Sequence, residues 1–104
     1  MDSTVETFER LLLERGRERY VLKLYITGMT PRSTEAVSLL KRLCDELLRG
    51  RYDLEVVDLF QNPARARDDL IIAAPTLVRE SPLPERRMIG NLSDRLRVLH
   101  GLGL

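Results

Sequence analysis

The sequence has no tryptophan and a single cysteine, Cys44. One cysteine excludes an internal disulfide and any Cys-x-x-Cys redox site. Aromatic residues make up only 5% of the chain, so aliphatic side chains must fill its core. Apolar residues reach 43% of the 104, enough for one compact domain and too few residues for two.

The chain also lacks an excess of charge of either sign. Its 17 basic and 16 acidic side chains leave a net charge of +1, which gives no general attraction to nucleic acid or anionic lipid. Two Phe and three Tyr, spread along the chain, do not form the aromatic face on which single-stranded nucleic acid stacks. We therefore expect no nucleic-acid partner.

Long apolar runs are absent as well. No stretch approaches the roughly 20 apolar residues of a membrane-spanning helix. The N-terminus, MDSTVETFERLLLERGRER, lacks the basic start and uncharged apolar run of a signal peptide. These absences predict a cytoplasmic protein without a membrane partner.

Residues 1–19 are expected to be an extension that precedes the domain. Apolar residues at helical spacing predict a short amphipathic helix over residues 3–15, with Ser3 and Glu6 as a capping box. The charged segment around Gly16 predicts a linker. The helix is expected to dock on the domain or on another subunit, and a frayed tail is the alternative.

Residues 20–104 carry alternating strand and helix patterns. Strands are predicted at 20–27, 52–60, 75–80 and 86–89, and helices at 31–48, after Asn62-Pro63, and at 92–99. The expected buried positions of the long helix are Ala36, Val37, Leu40, Leu43, Cys44 and Leu47. Those of the other two helices are Ile71 and Ile72, and Leu92, Leu96 and Leu99.

The order of these elements predicts an α/β domain of the type βαβαββα. The first two strands are joined through a helix and should be parallel, whereas the last two should form an antiparallel hairpin. This is the thioredoxin-like arrangement. Gly28 should end the first strand, and Thr30 should cap a helix whose first residue is Pro31. Pro75 is expected to follow a cis peptide bond at the start of the third strand.

The redox chemistry of that arrangement is missing. A thioredoxin-like enzyme places a thiolate of low pKa at the helix N-terminus and a second thiol three residues later. Here the turn is Met29-Thr30-Pro31-Arg32-Ser33, and serine can neither form nor resolve a disulfide. Cys44 lies in the apolar stripe in the middle of the helix, where we expect an inert core cysteine.

Five separated segments in order resemble the KaiB family, whose founding members are small clock proteins of cyanobacteria. They are YVLKLYITGMTPRS, VVDLFQNPARARDD, AAPTLVRE, PLPERRMIGNLSDR and VLHGL. The resemblance covers residues 20–104 without an obvious gap.

The resemblance implies a non-enzymatic protein without cofactor that binds the N-terminal ATPase ring of a KaiC-type hexamer. It also implies two folds for the C-terminal half. One belongs to a tetrameric or dimeric ground state, and the other is the monomeric thioredoxin-like state that binds KaiC. Slow exchange between the two times the phosphorylation cycle. A KaiA-type protein and a KaiB-like sensor kinase are the further partners that the family suggests.

The sequence departs from the cyanobacterial members in ways that bear on its partners. Gly103 stands where those members carry an acid, and Glu35 and Glu55 stand where they often carry basic residues. These departures count against a KaiA-type partner more than against a KaiC-type one.

Two groups of residues are candidates for function. Arg79, Arg86 and Arg87 are expected to cluster near the last two strands and, with Lys23 and Asn62, to contact KaiC or a sister subunit. An ordinary solvated surface is the alternative. Residues expected to shape the fold or its switch are Gly28, Pro31, Pro75, Gly90 and Gly101.

Other functions have less support in the residues. Asp68-Asp69 has no histidine or further carboxylate grouped with it, so we expect neither a metal site nor catalytic residues. A sensory domain of a histidine kinase and, less favoured, a thioredoxin-like redox protein are the alternatives.

Overall fold

The computed structural model describes residues 3–15 and 18–104, with side chains described for 4–10 and 18–104. The elements are α1 (Ser3–Arg15), β1 (Tyr20–Ile26), α2 (Pro31–Leu47), β2 (Tyr52–Asp58), α3 (Ala64–Asp68), β3 (Thr76–Ser81), β4 (Arg86–Ile89) and α4 (Arg95–Leu102). The predicted α/β class and the order of elements are confirmed.

The four strands form one sheet in the order β2-β1-β3-β4. β1 and β2 are parallel, and β3 is antiparallel to both β1 and β4. The predicted parallel pair and the final hairpin are therefore confirmed. β2 ends at Asp58, two residues earlier than predicted, because the Asp58 carboxylate accepts hydrogen bonds from the amides of Gly28 and Phe60 and turns the chain.

α2 follows the local signals in the sequence. The Thr30 side chain accepts a hydrogen bond from the Ser33 amide at 3.1 Å, and Pro31 occupies the first turn. The predicted inward stripe needs one correction: Leu47 is exposed, and Leu48 is fully buried in its place. Successive helical residues differ by about 100° in direction, so only one of the two can face the sheet.

Each face of the sheet carries a separate core, because successive strand residues point to opposite faces. Leu22, Leu24 and Ile26 of β1 pack with α2 and α4 on one face. Tyr25, Val57 and Val78 pack on the other face, with Leu59 and Ile71. The first face is called the helical face below, and the second the α3 face.

The helix predicted after Asn62-Pro63 is confirmed but short. α3 has five residues, none of them buried. Of the two isoleucines predicted to be buried after this helix, Ile71 is buried, whereas Ile72 is 90% exposed. The prediction is therefore wrong for Ile72.

α4 begins later than the leucine spacing predicted. Its N-cap is Asp94, whose carboxylate accepts a hydrogen bond from the Arg97 amide. Val98 and Leu102 are the buried residues of the helix, and Leu96 is 76% exposed. Leu92 is buried from the turn that precedes the helix, so the three predicted leucines do not share one face.

α1 confirms a helix over residues 3–15. Val5 and Phe8 are exposed, so these two apolar residues are not docked on the domain. The Ser3 cap and the break at Gly16 lie outside the residues whose side chains or structure are described.

Candidate functional site

The turn between β1 and α2 is where a redox thiolate would lie in this fold. Gly28 has φ +75°, a left-handed conformation that favours glycine. The Thr30 and Ser33 hydroxyls are hydrogen-bonded to each other at 3.1 Å, and the Thr30 hydroxyl also caps α2. The Thr30 hydroxyl thus caps the helix, and the Ser33 hydroxyl is hydrogen-bonded to that cap. The Ala74–Pro75 peptide bond is cis, as predicted.

Cys44 has the environment of a structural residue. Its side chain is 0% exposed in the core of the helical face. Burial, with a smaller contribution from the negative charge of Asp45, raises the pKa of the thiol to about 11. A thiol that stays protonated at neutral pH and cannot be reached by substrate is unsuited to disulfide exchange.

Three exposed apolar side chains lie at one end of the sheet. Met29 follows β1, Phe60 follows the parallel strand β2, and Ile72 precedes β3, which is antiparallel to β1. This topology brings the three segments to the same end, where the side chains are 67%, 74% and 90% exposed. We call these residues the apolar end. Grouped exposed apolar residues are typical of a protein-binding surface.

A groove lies beside α2. It has a volume of about 280 Å³ and is bordered by Arg32 and Glu35 of the helix, by Pro75 and by residues 91–93. Its borders are mostly polar, and Arg32 and Glu35 give it both charges. The groove therefore suits a polar segment of a partner better than a small apolar ligand.

Charged residues cross the α3 face from strand to strand. Lys23 pairs with Glu80 at 2.7 Å, and Arg65 pairs with Glu55 at 2.8 Å and with Asp69 at 3.0 Å. The Tyr25 hydroxyl donates a hydrogen bond to Asp69 at 2.6 Å. The Tyr25 hydrogen bond and Arg65 lower the pKa of Asp69, whereas burial and the Asp69 carboxylate raise that of Tyr25 to about 12.

The expected cluster of three arginines is wrong in one respect. Arg79 and Arg86 are partners across the β3–β4 ladder and lie on the helical face, whereas Arg87 lies on the α3 face. Arg87 donates hydrogen bonds to the carbonyls of Asp69 and Leu70 at 2.9 and 2.8 Å. Neighbouring residues of a strand point to opposite faces, which separates Arg86 from Arg87.

Arg79 is not part of an ordinary solvated surface, which was the alternative to a partner contact. It is only 6% exposed. Its guanidinium donates to the carbonyl of Leu102 in α4 and to that of Pro84 in the β3–β4 loop, both at 2.9 Å. Arg79 thus joins the C-terminal end of the last helix to the proline loop.

The remaining candidates lie in separate places. Lys23 is near the middle of the sheet in its ion pair with Glu80, and exposed Asn62 precedes α3. Gly90 ends β4 with φ +107°. Gly101 lies inside α4, where an added Cβ would overlap Sδ of Met88 and approach its Cγ and Cε to 2.8 Å.

The described part of the chain contains neither a candidate metal site nor a membrane-spanning helix. No three His, Cys, Asp or Glu side chains within it are grouped as a metal site requires. None of its helices is both long and apolar enough to cross a bilayer.

Comparison with known proteins decides the family. The KaiB domain family matches residues 23–104. The chain belongs to the KaiB family. The circadian clock oscillator protein KaiB of Synechococcus elongatus is 49% identical over 88 residues, covering 85% of this chain and 86% of that protein. Its namesake from Nostoc is 47% identical over 92 residues, covering 88% and 85%. These relatives support a clock regulatory role for this KaiB-family protein.

Solved structures share the fold at lower identity. The N-terminal domain of SasA from Synechococcus elongatus has a TM-score of 0.66 and 19% identity, covering 83% of this chain and 85% of that domain. Chloroplastic thioredoxin z has a TM-score of 0.67 and 19% identity, covering 91% and 86%. The thioredoxin-like architecture of this KaiB-family protein is thereby confirmed.

Sequence reasoning missed the apolar end. Phe60 seemed to continue β2, and Ile72 seemed to be a buried helix residue. The signal that could have found Phe60 is the Asp58-x-Phe60 turn, in which the aspartate caps its own backbone two residues ahead. Nothing local distinguishes Ile72 from Ile71.

Proposed function

We propose that this KaiB-family protein is a non-enzymatic clock regulator. It binds the N-terminal ATPase ring of a KaiC-type hexamer and times the phosphorylation cycle of that hexamer through slow fold switching. The observation that carries the proposal is the KaiB domain match over residues 23–104. It acts in the cytoplasm and requires no cofactor.

The turn after β1 supports a role without catalysis. The family scaffold retains the capped helix and the cis proline, but the turn residues Met29–Ser33 include no thiol. The only sulfhydryl of the chain is Cys44, buried and protonated. The scaffold is thus suited to binding a partner protein through its surface rather than to redox catalysis.

We propose that the apolar end forms the centre of the KaiC contact. An exposed aromatic ring at the same end of the sheet as two further apolar side chains supplies the kind of anchor that carries most binding energy in protein interfaces. Asn62, which follows Phe60 closely in the chain, belongs to the same region. Arg87, which donates to the carbonyls of Asp69 and Leu70, and Lys23 supply charge on the adjoining α3 face. Arg86 supplies charge at the opposite end of the sheet, where Arg79 keeps the β3–β4 loop and α4 in position.

Fold switching has a physical basis in the C-terminal half. α4 has eight residues and buries only Val98 and Leu102, and helices shorter than about 12 residues are marginal on their own. Its Gly101 further weakens the helix. Rearranging this segment into a tetrameric or dimeric ground state gives up the burial of these two side chains and the hydrogen bond from Arg79 to the Leu102 carbonyl. In this proposal the thioredoxin-like arrangement corresponds to the monomeric state that binds KaiC.

Gel filtration with the cognate KaiC-type ATPase tests the proposal. We expect co-elution after incubation for hours, with ATP and with ADP, because the exchange between folds is slow. The protein alone should leave ATP and low-molecular-weight disulfides unchanged. Separate elution of the two proteins at high micromolar concentration after long incubation contradicts the proposal.

Truncation of Phe60 tests the apolar end. We expect Phe60→Ala to weaken KaiC binding by at least about tenfold, as central aromatic residues of interfaces do. Leu83→Ala is the matched control, because Leu83 is comparably exposed but lies in the β3–β4 loop, at the opposite end of the sheet. Equal effects of the two variants would assign the contact to another surface.

The two exposed arginines lie on opposite faces and can be tested separately. If the KaiC contact extends over the α3 face, Arg87→Ala weakens binding and Arg86→Ala does not; the reverse result assigns the helical face. In either case the loss should shrink as salt rises. If binding and oligomer size are unchanged in both variants, Arg86 and Arg87 belong to an ordinary solvated surface.

A sensory domain of a histidine kinase remains the alternative, favoured by the shared fold of the SasA domain. The much higher identity to KaiB proteins favours the first proposal. A reading frame that continues into a kinase domain would reverse the choice.

A further inference from the structure

A pocket lies where the proline loop meets the C-terminal end of α4. Its volume is about 250 Å³, and its borders include Glu18, Tyr20, Pro82, Arg79 and Arg86. This volume is several times the roughly 30 Å³ that one water molecule occupies in the liquid. The pocket can therefore hold a small polyatomic ion together with water.

The guanidinium of Arg79 reaches this pocket without a balancing negative charge. Among the described side chains, no carboxylate lies within ion-pair distance of it; its described acceptors are the carbonyls of Leu102 and Pro84. Its Nε atom is buried and has no hydrogen-bond partner in the described part of the chain. A buried charge is costly unless it is paired, so this arrangement favours an anion.

Arg86 adds a second positive charge to the same pocket. It is the ladder partner of Arg79, lies on the same face, and is exposed. No ion pair of Arg86 occurs within the described residues. Glu18 is the one carboxylate at the border, so the described charges of the pocket are two positive and one negative.

Gly103 keeps the pocket open. Its φ is +77°, and a Cβ at this position would lie 3.0 Å from Nη1 of Arg79. Any side chain here would begin against the guanidinium. The glycine thus leaves the charge of Arg79 accessible from the pocket.

From these contacts we propose that the Arg79–Arg86 pocket binds a phosphate group. Arginine side chains bind phosphate through several charge-assisted hydrogen bonds, and two of them suit a dianion. The phosphate is either inorganic phosphate or the terminal phosphate of a nucleotide. This proposal goes beyond clock regulation and does not depend on KaiC.

Binding would couple the ligand to the C-terminal half. Arg79 holds Leu102 of α4 and Pro84 of the loop, so the pocket exists only while both are in place. A ligand that binds one arrangement of a chain stabilises that arrangement. Phosphate would therefore stabilise the thioredoxin-like arrangement described here.

Titration of the full-length protein tests this site. NMR amide shifts and thermal unfolding are followed with inorganic phosphate and, separately, with ADP, each against sodium chloride of equal ionic strength. We expect saturable shifts of residues 79–86 and 101–104 and a rise in the unfolding temperature. ADP binding more tightly than phosphate assigns a nucleotide ligand, and the opposite order assigns the free ion; both results support the site.

Matched variants locate the site. Arg86→Ala should weaken phosphate binding by about tenfold, as loss of a charge-assisted hydrogen bond does, whereas Arg49→Ala, an exposed arginine elsewhere, should leave it unchanged. Gly103→Asp should abolish binding by placing a carboxylate beside Arg79. Gly103→Asn introduces the same size and backbone strain without the charge and should retain more binding.

Two results would overturn the proposal. One is the absence of any saturable change beyond that caused by chloride. The other is equal phosphate affinity in the wild type, Arg86→Ala and Gly103→Asp, which would show that the anion binds elsewhere.

Discussion

Gly101 offers a test of how α4 is held against the sheet. The sequence alone predicts that Gly101→Ala favours the helical, thioredoxin-like state and accelerates KaiC binding, because alanine is about 1 kcal/mol better than glycine inside a helix. The structure shows a steric cost that opposes this gain in helix stability. The new Cβ would overlap Sδ of Met88, a largely buried side chain of β4.

The two contributions have similar size. Inserting a methyl group into a packed core typically costs about 1–3 kcal/mol, although methionine adapts its shape more easily than other side chains. We therefore expect Gly101→Ala in the wild-type background to give less than the full helical gain of about 1 kcal/mol. In a Met88→Ala background the overlapping atoms are gone, and the full gain should appear.

A double-mutant cycle measures the difference. Urea unfolding of the wild type, the two single variants and the double variant gives a coupling energy, which we expect to be about 1–3 kcal/mol. Met88→Ala itself costs about 2–5 kcal/mol. The cycle is therefore repeated with Met88→Val, which keeps more apolar volume.

Additive effects would refute this reasoning. If Gly101→Ala changes the free energy of unfolding equally in both backgrounds, within about 0.5 kcal/mol, Met88 does not restrict the helix. A changed urea dependence in any variant would instead indicate that the two-state description fails. NMR spectra then report which fold is present.

Three further predictions follow from single contacts. Tyr25→Phe should lower the free energy of unfolding at neutral pH by about 1–2 kcal/mol, since a hydrogen bond to a charged group is lost. The lowered pKa of Asp69 contributes stability above the unfolded pKa of this carboxyl group, and that stability is lost as pH falls through the folded pKa. The cost of Tyr25→Phe should therefore shrink in acid. A constant cost from pH 7 to pH 3 in urea titrations would contradict this. Cys44 should react with a thiol reagent at neutral pH only as fast as the protein opens, so rapid labelling that urea does not accelerate would disprove its burial. Thr30→Ala should cost about 1 kcal/mol through loss of the α2 cap, and Thr30→Ser should restore most of it in the same unfolding assay.

The sequence by itself determined the features that depend on neighbouring residues. Strand β1, the Thr30 cap with Pro31 and the stop at Gly90 all follow from local backbone chemistry. The missing thiol in the turn is likewise visible without a structure. Local conformational preferences depend on a few neighbouring residues, so the amino-acid sequence is sufficient to predict them.

The tertiary structure decided what depends on residues far apart in the chain. Only the register between β3 and β4 places Arg79 beside Arg86, and only the packing of α4 leaves Leu96 in solvent while Val98 is buried. Arg79 could not be recognised as a buried charge, because its acceptors are 5 and 23 residues away. Such contacts form only when the whole interior packs closely, with strands, loops and side chains fitted to one another. The periodicity of one segment carries no information about which segment packs against it.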